Sequence, residues 1–176
     1  VLQACDVEFL PVETQDAIKA HQKNYCDAHG IKYVFMLMDK QLAEGRHLTW
    51  LKVVALCRLI ASCVDGDIVI WMDMDSYVMR TRIDIRNAFP NNRAQLCTAI
   101  YNMNDTFRQN TGVMFIRVCQ QTRKFFDDVW TNGPVQDGYS EEETIGSMLP
   151  IAIDNGLEYE VISNKWNSWP GFPYPF

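Results

Sequence analysis

Two aspartates one residue apart, Asp73 and Asp75 on either side of Met74, directly follow the apolar run Ile68-Val69-Ile70-Trp71-Met72. Carboxylates at the end of a buried segment are costly unless something positive meets them. Hard divalent cations such as Mn²⁺ and Mg²⁺ take oxygen ligands and commonly bridge one or two carboxylates to substrate phosphates. The spacing therefore suits a metal-held diphosphate. A bare Asp-x-Asp is also an ordinary way to end a strand and cap the turn after it, so the surroundings must decide between the two readings.

Those surroundings alternate between strand and helix. Residues 68–72 are too continuously apolar to be half exposed, which predicts a central strand covered on both faces. Upstream, residues 1–10 read as a strand and 14–29 as a helix, with Thr14 as N-cap and Gly30 as the stop. Residues 31–38 form a dense apolar second strand, and 48–62 a helix in which Leu51, Ala55, Leu59 and Cys63 recur at helical spacing. Downstream, a short helical piece must stop before Pro90. Residues 94–101 and 112–118 read as strands joined by a polar connection over 102–110. Residues 120–130 and 139–149 read as helices, the second with a capping box of Ser140 and Glu143. Residues 157–162 make a last strand, and the aromatic, proline-rich tail 166–176 reads as irregular coil. Alternation of this kind predicts a three-layer α/β domain with a mostly parallel central sheet. Ligands of such sheets bind beyond the carboxyl ends of the strands, where Asp39 and residues 73–75 lie.

Bulk properties narrow the setting. With 176 residues, 48% of them apolar, the chain suits one domain spanning 1–176. A net charge of −6 argues against a nucleic-acid partner. An acidic protein that binds an anionic nucleotide needs local compensation, from a divalent cation or from helix N-termini. No apolar stretch approaches the roughly 20 residues of a membrane-spanning helix, so no membrane segment is expected. The six cysteines show no CxxC spacing and read as reduced core residues, which points to a cytoplasmic setting. The Golgi lumen is the alternative for a domain separated from an N-terminal anchor.

A resemblance then comes into view. Trp50-Leu51-Lys52-Val53-Val54-Ala55-Leu56-Cys57-Arg58-Leu59 and Ile70-Trp71-Met72-Asp73-Met74-Asp75-Ser76 resemble plant xyloglucan xylosyltransferases and the related fungal galactosyl- and mannosyltransferases. Asn24-Tyr25-Cys26 with His29-Gly30, and Asn110-Thr111-Gly112 with Ile116-Arg117, resemble further segments of that family in the same order. The resemblance covers roughly residues 20–150. It implies the GT-A (Rossmann-like) nucleotide-diphospho-sugar transferase fold and retention at the anomeric carbon.

Carried over by position, it implies that Asp73 and Asp75 hold Mn²⁺ (or Mg²⁺) and, with Met74, the diphosphate of a UDP-sugar donor, the acceptor being a glycan or glycoconjugate. Lys52 and Arg58 become donor-side candidates. They stand six residues apart, about 240° around a helix, so the two do not share one phosphate, and each also reads as a solvated charge. Glu141-Glu142-Glu143 falls where the family carries Asp-Asp-Gln by the reacting sugar. Glu142 and Glu143 are thereby candidates for a nucleophile or for stabilising an oxocarbenium-like state. The alternative is an acidic first turn favoured by the helix dipole. Gly112 would let backbone approach the sugar and Asn110 would offer it an amide, unless the segment is simply a turn. Asp39 is a further donor-contact candidate. Many enzymes of this fold add a C-terminal histidine to the metal, but His21, His29 and His47 all precede the pair and are assigned no role.

Two other classes compete. An apolar strand ending in Asp-x-Asp also marks haloacid-dehalogenase-type phosphatases, although Tyr77 stands where those carry Thr or Val. The third reading is a non-catalytic nucleotide- or carbohydrate-binding module that stacks sugars on Trp166, Trp169, Phe172, Tyr174 and Phe176.

Overall fold

Four consecutive side chains explain the middle of the molecule. In the strand β3, Ile68–Met72, successive residues point to opposite faces, and Val69, Ile70, Trp71 and Met72 are all buried. Val69 and Trp71 join a cluster with Leu56 and Ile60 of α2 (Leu51–Ser62), Phe126 of α3 (Gln120–Asn132) and Ile145 of α4 (Glu141–Asp154). Ile70 and Met72 join a second cluster with Tyr25 and Cys26 of α1 (Val12–Ala28) and with Ile85 and Ala88. Full burial contributes about 1.5–3 kcal/mol for each large apolar side chain, so β3 is clamped from both sides. The result is three layers, as the unbroken apolar run predicts. The structure, a computed structural model, describes residues 1–6, 10–103, 106–136, 138 and 140–167.

The remaining strands are β1 (Leu2–Asp6), β2 (Val34–Met38), β4 (Leu96–Met103), β5 (Thr106–Arg117) and β6 (Tyr159–Val161), in the order β2-β1-β3-β5-β4-β6. β1 runs parallel to β2 and β3, and β4 parallel to β6, whereas β5 is antiparallel to both its neighbours. Only β5 is reversed, and the sheet is mostly parallel. From β1 the chain moves outward to β2 with α1 on one face. It then returns with α2 on the other face to β3, on the opposite side of β1. That reversal makes a topological switch point between β1 and β3, where open α/β sheets bind ligands at the carboxyl ends. Asp73 is the first residue past β3.

Several boundaries differ from the sequence reading. β5 begins at Thr106, so Asn110-Thr111-Gly112 lies inside a long strand and is no turn. Hydrogen bonding to β4 carries the polar half of β5 in extended form beyond the apolar core. Across a bulge, Thr98 faces Met114 while Ala99 faces Asn110, which leaves residues 111–113 without partners in β4. The helix α4 runs through Pro150 to Asp154, and its Ser140 N-cap makes no side-chain bond. Glu143 closes no capping box there because its carboxylate turns outward toward Arg108 at 3.8 Å. A capping box forms instead at the start of α3, between Cys119 and Thr122.

Cys26, Cys57, Cys63, Cys97 and Cys119 are unpaired, and burial pushes the Cys57 and Cys97 thiols up to about 12. Among the described residues no helix is long and apolar enough to cross a membrane. Trp166 is half-buried in a short turn, while Trp169, Phe172, Tyr174 and Phe176 lie outside the described residues.

Candidate active site

Lys52, in the first turn of α2, is buried, and its ammonium is the centre of the site. It donates to Glu141 Oε1 at 2.7 Å, to Asp73 Oδ1 at 3.0 Å, and to Thr111 Oγ1 and O at 3.1 and 3.2 Å. A lysine this far inside is sustained only by charged partners. Burial alone would lower its pKa, but Asp73 and Glu141 together hold it above the ordinary range. Its carboxylate partners differ. Burial pushes the Asp73 carboxyl up, against the pull of Lys52 and the Trp71 indole. At Glu141 burial acts in the same direction, yet the closer Lys52 ammonium outweighs it and keeps the carboxyl below its usual range.

Asp73 is thus fixed through one oxygen. Oδ1 accepts from Lys52 and from Trp71 Nε1 at 2.7 Å, while Oδ2 accepts nothing from a described residue. A Cβ added at Gly112 would stand 3.4 Å from Oδ2, 3.1 Å from Asn110 Oδ1 and 3.5 Å from Asn167 Oδ1. Glycine there keeps the space beside the free oxygen open. Asn110 Oδ1 accepts from Gly112 N at 2.9 Å, which orients the amide and leaves its Nδ2 for another partner. Asp75 is exposed two residues on, at the mouth of the same turn.

A second acidic group stands across Thr111. Glu142 takes Tyr101 OH on Oε1 at 2.7 Å, and Thr111 N and Oγ1 on Oε2 at 3.2 and 3.3 Å. Burial and this carboxylate push the Tyr101 phenol up to about 12. The site therefore joins the N-termini of α2 and α4, the carboxyl end of β3 and the bulged middle of β5.

Not every residue singled out by the sequence is here. Arg58 stands exposed on α2, roughly 9 Å further along the axis than Lys52 at 1.5 Å per residue, and makes no hydrogen bond or ion pair with Asp73, Glu141 or Glu142. Lys52 itself is no solvated charge, since its donors are taken up inside the protein. Asp39 lies on the same sheet edge but beyond β1, two strand spacings or about 10 Å from β3, and caps its own turn by accepting Gln41 N at 2.8 Å. Met74 is buried, so only its backbone can face a ligand. Glu143 points away from Asp73, toward Arg108.

The turn after β3 is anchored by residues that the sequence reading passed over. Gln3 Nε2 donates to Asp73 O at 3.1 Å and Ser76 O at 3.4 Å, while Gln3 Oε1 accepts from Tyr33 OH at 2.8 Å. Gln22 Nε2 donates to Ser76 O at 3.0 Å. Further along, His21 and His29 ring nitrogens meet Val78 O and Thr81 O at 2.9 and 2.8 Å. One signal was available: Gln22 occupies the apolar stripe of its helix, between Ile18 and Tyr25-Cys26.

These residues suit a divalent cation shared with a ligand. Asp73 Oδ2 is open, Gly112 leaves room beside it, and the Lys52, Asp73 and Glu141 cluster carries one more formal negative charge than positive. They do not form a closed protein cage: among the described residues no group of three His, Cys, Asp or Glu can hold a metal.

No family model matches the chain, and no curated protein matches it in sequence. Solved structures do. A glycosyltransferase involved in the glycosylation of the major capsid of PBCV-1 superposes with a TM-score of 0.70 at 16% identity, over 93% of this chain and 81% of that one. The apo-form glycosyltransferase GlyE of Streptococcus pneumoniae TIGR4 gives 0.60 at 12% identity, over 94% of this chain. The chain spans only 45% of GlyE's length. Its fold is accordingly the GT-A type found in glycosyltransferases.

Proposed function

We propose that this protein transfers a hexosyl or pentosyl group from a UDP-sugar to an acceptor hydroxyl, with Mn²⁺ or Mg²⁺ at Asp73 and Asp75. One observation carries the reading: at the switch point of a glycosyltransferase fold, Asp73 is locked through Oδ1 while Oδ2 stays open beside Gly112. A cation bound there supplies charge neutralisation for the departing diphosphate. Lys52 serves by fixing Asp73 rather than by touching phosphate, because its donors are already engaged. Glu142, oriented by Tyr101 and Thr111, steadies positive charge developing on the sugar, and Asn110 offers its amide to a sugar hydroxyl. Glu143 is a lesser candidate on this geometry. The resemblance to xyloglucan xylosyltransferases and their fungal relatives supports retention at the anomeric carbon, and the fold supports sugar transfer over the phosphatase reading.

The test begins with Asp75→Ala, an exposed change that leaves the buried network intact. It should abolish Mn²⁺-dependent turnover of UDP-sugars, and undiminished turnover would overturn the assignment. In parallel, UDP with Mn²⁺ should raise the melting temperature. A ligand at 100 times its Kd adds about 2.7 kcal/mol, and the increment should disappear with the cation removed.

A further inference from the structure

Beside Glu142, an open cleft of about 630 Å³ lies between the start of α4, the polar half of β5 and the end of α3. Its size falls within the range of about 300–1,000 Å³ typical of small-ligand sites. Arg108 and Gln109 come from β5, Glu142, Glu143 and Ser147 from α4, and Asn132 from α3. Gly146 sets the seam between α4 and β5, since a Cβ there would stand 2.7 Å from Gln109 Oε1. The glycine lets the Gln109 amide sit against the helix at the cleft wall.

Charge decides what such a cleft can take. One arginine against two glutamates leaves a formal charge of −1, and the Arg108 guanidinium already lies 3.8 Å from Glu143. Both Glu142 oxygens are taken by Tyr101 and Thr111 and Glu143 faces Arg108, so no carboxylate here offers a bridging cation the open oxygen that Asp73 does, and a nucleotide diphosphate is disfavoured. Ser147 Oγ donates to Thr144 O at 3.0 Å and keeps its acceptor capacity, while Asn132 Nδ2 gives one N–H to Asp128 O at 2.9 Å and keeps the other with its carbonyl. With the Gln109 amide they offer donors and acceptors together, which suits an uncharged, polyhydroxylated ligand. Glu142 is the shared wall: it lines the cleft and is bonded to Thr111, which Lys52 ties to Asp73.

We propose that this cleft is the acceptor site and that it binds a neutral oligosaccharide, whose reacting hydroxyl enters past Glu142. The inference rests on the transferase reading above for its role and on the cleft alone for its ligand. In the transfer, the acceptor oxygen bonds to the anomeric carbon as the bond from that carbon to the diphosphate breaks. The diphosphate leaves with the electron pair and takes up the hydroxyl proton.

Two exposed positions outside the Asp73 network, Ser147 and Asn132, provide the test. Neutral tetrasaccharides of gluco, manno, xylo and galacto configuration, titrated at millimolar concentration into ¹⁵N-labelled protein, should shift the amide signals of Gln109, Ser147 and Met148 for at least one configuration. Ser147→Trp and Asn132→Trp should abolish those shifts and raise the acceptor KM about tenfold or more, with donor KM and donor hydrolysis unchanged. Shifts in a protein that turns over no UDP-sugar would keep the glycan site and discard the transferase reading. Absence of shifts with all four sugars overturns the proposal. So does a tryptophan variant that raises donor KM as much as acceptor KM, because the cleft would then hold the donor.

Discussion

The turn that carries Asp73 is held from the two faces of the sheet by opposite kinds of chemistry. On the α2 and α4 face the anchor is ionic, a buried lysine between Asp73 and Glu141. On the α1 face it is neutral, a set of amides and phenols in which Gln3, Gln22 and Tyr25 grip backbone carbonyls from Asp73 to Ile83. Neutral hydrogen bonds contribute only about 0.5–1.5 kcal/mol each, but they hold a backbone without desolvating an ion. A buried ion pair carries a heavy desolvation cost and is a poor choice for simple anchoring. Buried charge is thus confined to the face where Asp73 keeps one oxygen free, and on the other face the buried anchors are neutral.

The sharpest way to break this contrast is at Lys52. Lys52→Met leaves Glu141 buried without its counter-charge, and removing one partner of a buried pair typically costs 3–5 kcal/mol. Urea denaturation should show a loss of about that size. Adding Glu141→Gln removes the orphaned charge, so the double variant should be more stable than Lys52→Met alone, a coupling that a double-mutant cycle reads directly. A loss below about 1 kcal/mol for Lys52→Met would mean that the ionic face is not an anchor at all.

On the neutral face the two glutamines should not be equal. Gln3 uses both ends of its amide, whereas the buried Gln22 Oε1 has no partner among the described residues. Gln3→Met removes the bonds to Asp73 O, Ser76 O and the Tyr33 hydroxyl, while Asp73 O keeps Ser76 N at 2.9 Å, and should cost about 2 kcal/mol. Gln22→Met loses the bond to Ser76 O and a weak one to Met72 Sδ but also removes an unsatisfied oxygen, so its net cost should stay under about 1 kcal/mol. Equal losses in the same denaturation experiment would show that the orphaned oxygen carries no penalty. Gln3→Met should also weaken cation-dependent turnover, because it removes one of the two hydrogen bonds on the carbonyl of the residue that presents Oδ2.

How much of this was legible in the sequence depends on where each signal resides. β3 is delimited correctly because five apolar residues between a turn and an aspartate admit few readings, and Asp73 follows from that boundary. Lys52 is legible as a candidate, but its role is not: nothing local shows that Glu141, 89 residues away, meets it. The polar half of β5 was invisible because its extended form comes from pairing with β4, not from an apolar alternation of its own. Gln3 and Gln22 look like surface residues by type, and only their place on buried faces reveals them. Arg58 shows the converse, a conspicuous charge in a matching segment that stands exposed, the solvated alternative that its sequence also allowed.

The smallest effect lies at the far end of the same turn. Asp84 accepts from Arg86 N at 2.9 Å and from its guanidinium at 2.5–3.0 Å, while that guanidinium also donates to His29 O at 3.0 Å on α1. Those Arg86 bonds, outweighing a small opposing effect of burial, hold the Asp84 carboxyl below its ordinary value of 3.8. A group whose folded pKa is depressed contributes stability that is present above the unfolded value and is lost as pH falls through the folded one. Asp84→Asn should therefore be least stable relative to the parent above about pH 5, and the difference should shrink steadily toward about pH 3. Asparagine caps a helical turn nearly as well as aspartate, so any residual difference in acid should be slight. Urea midpoints measured across that range test the point, and a gap that stays constant with pH would mean that the Asp84 side chain acts through shape alone. Because this pair ties the end of the turn to α1 by a charge exposed to solvent, its contribution should also fall with added salt, whereas that of buried Lys52 should not.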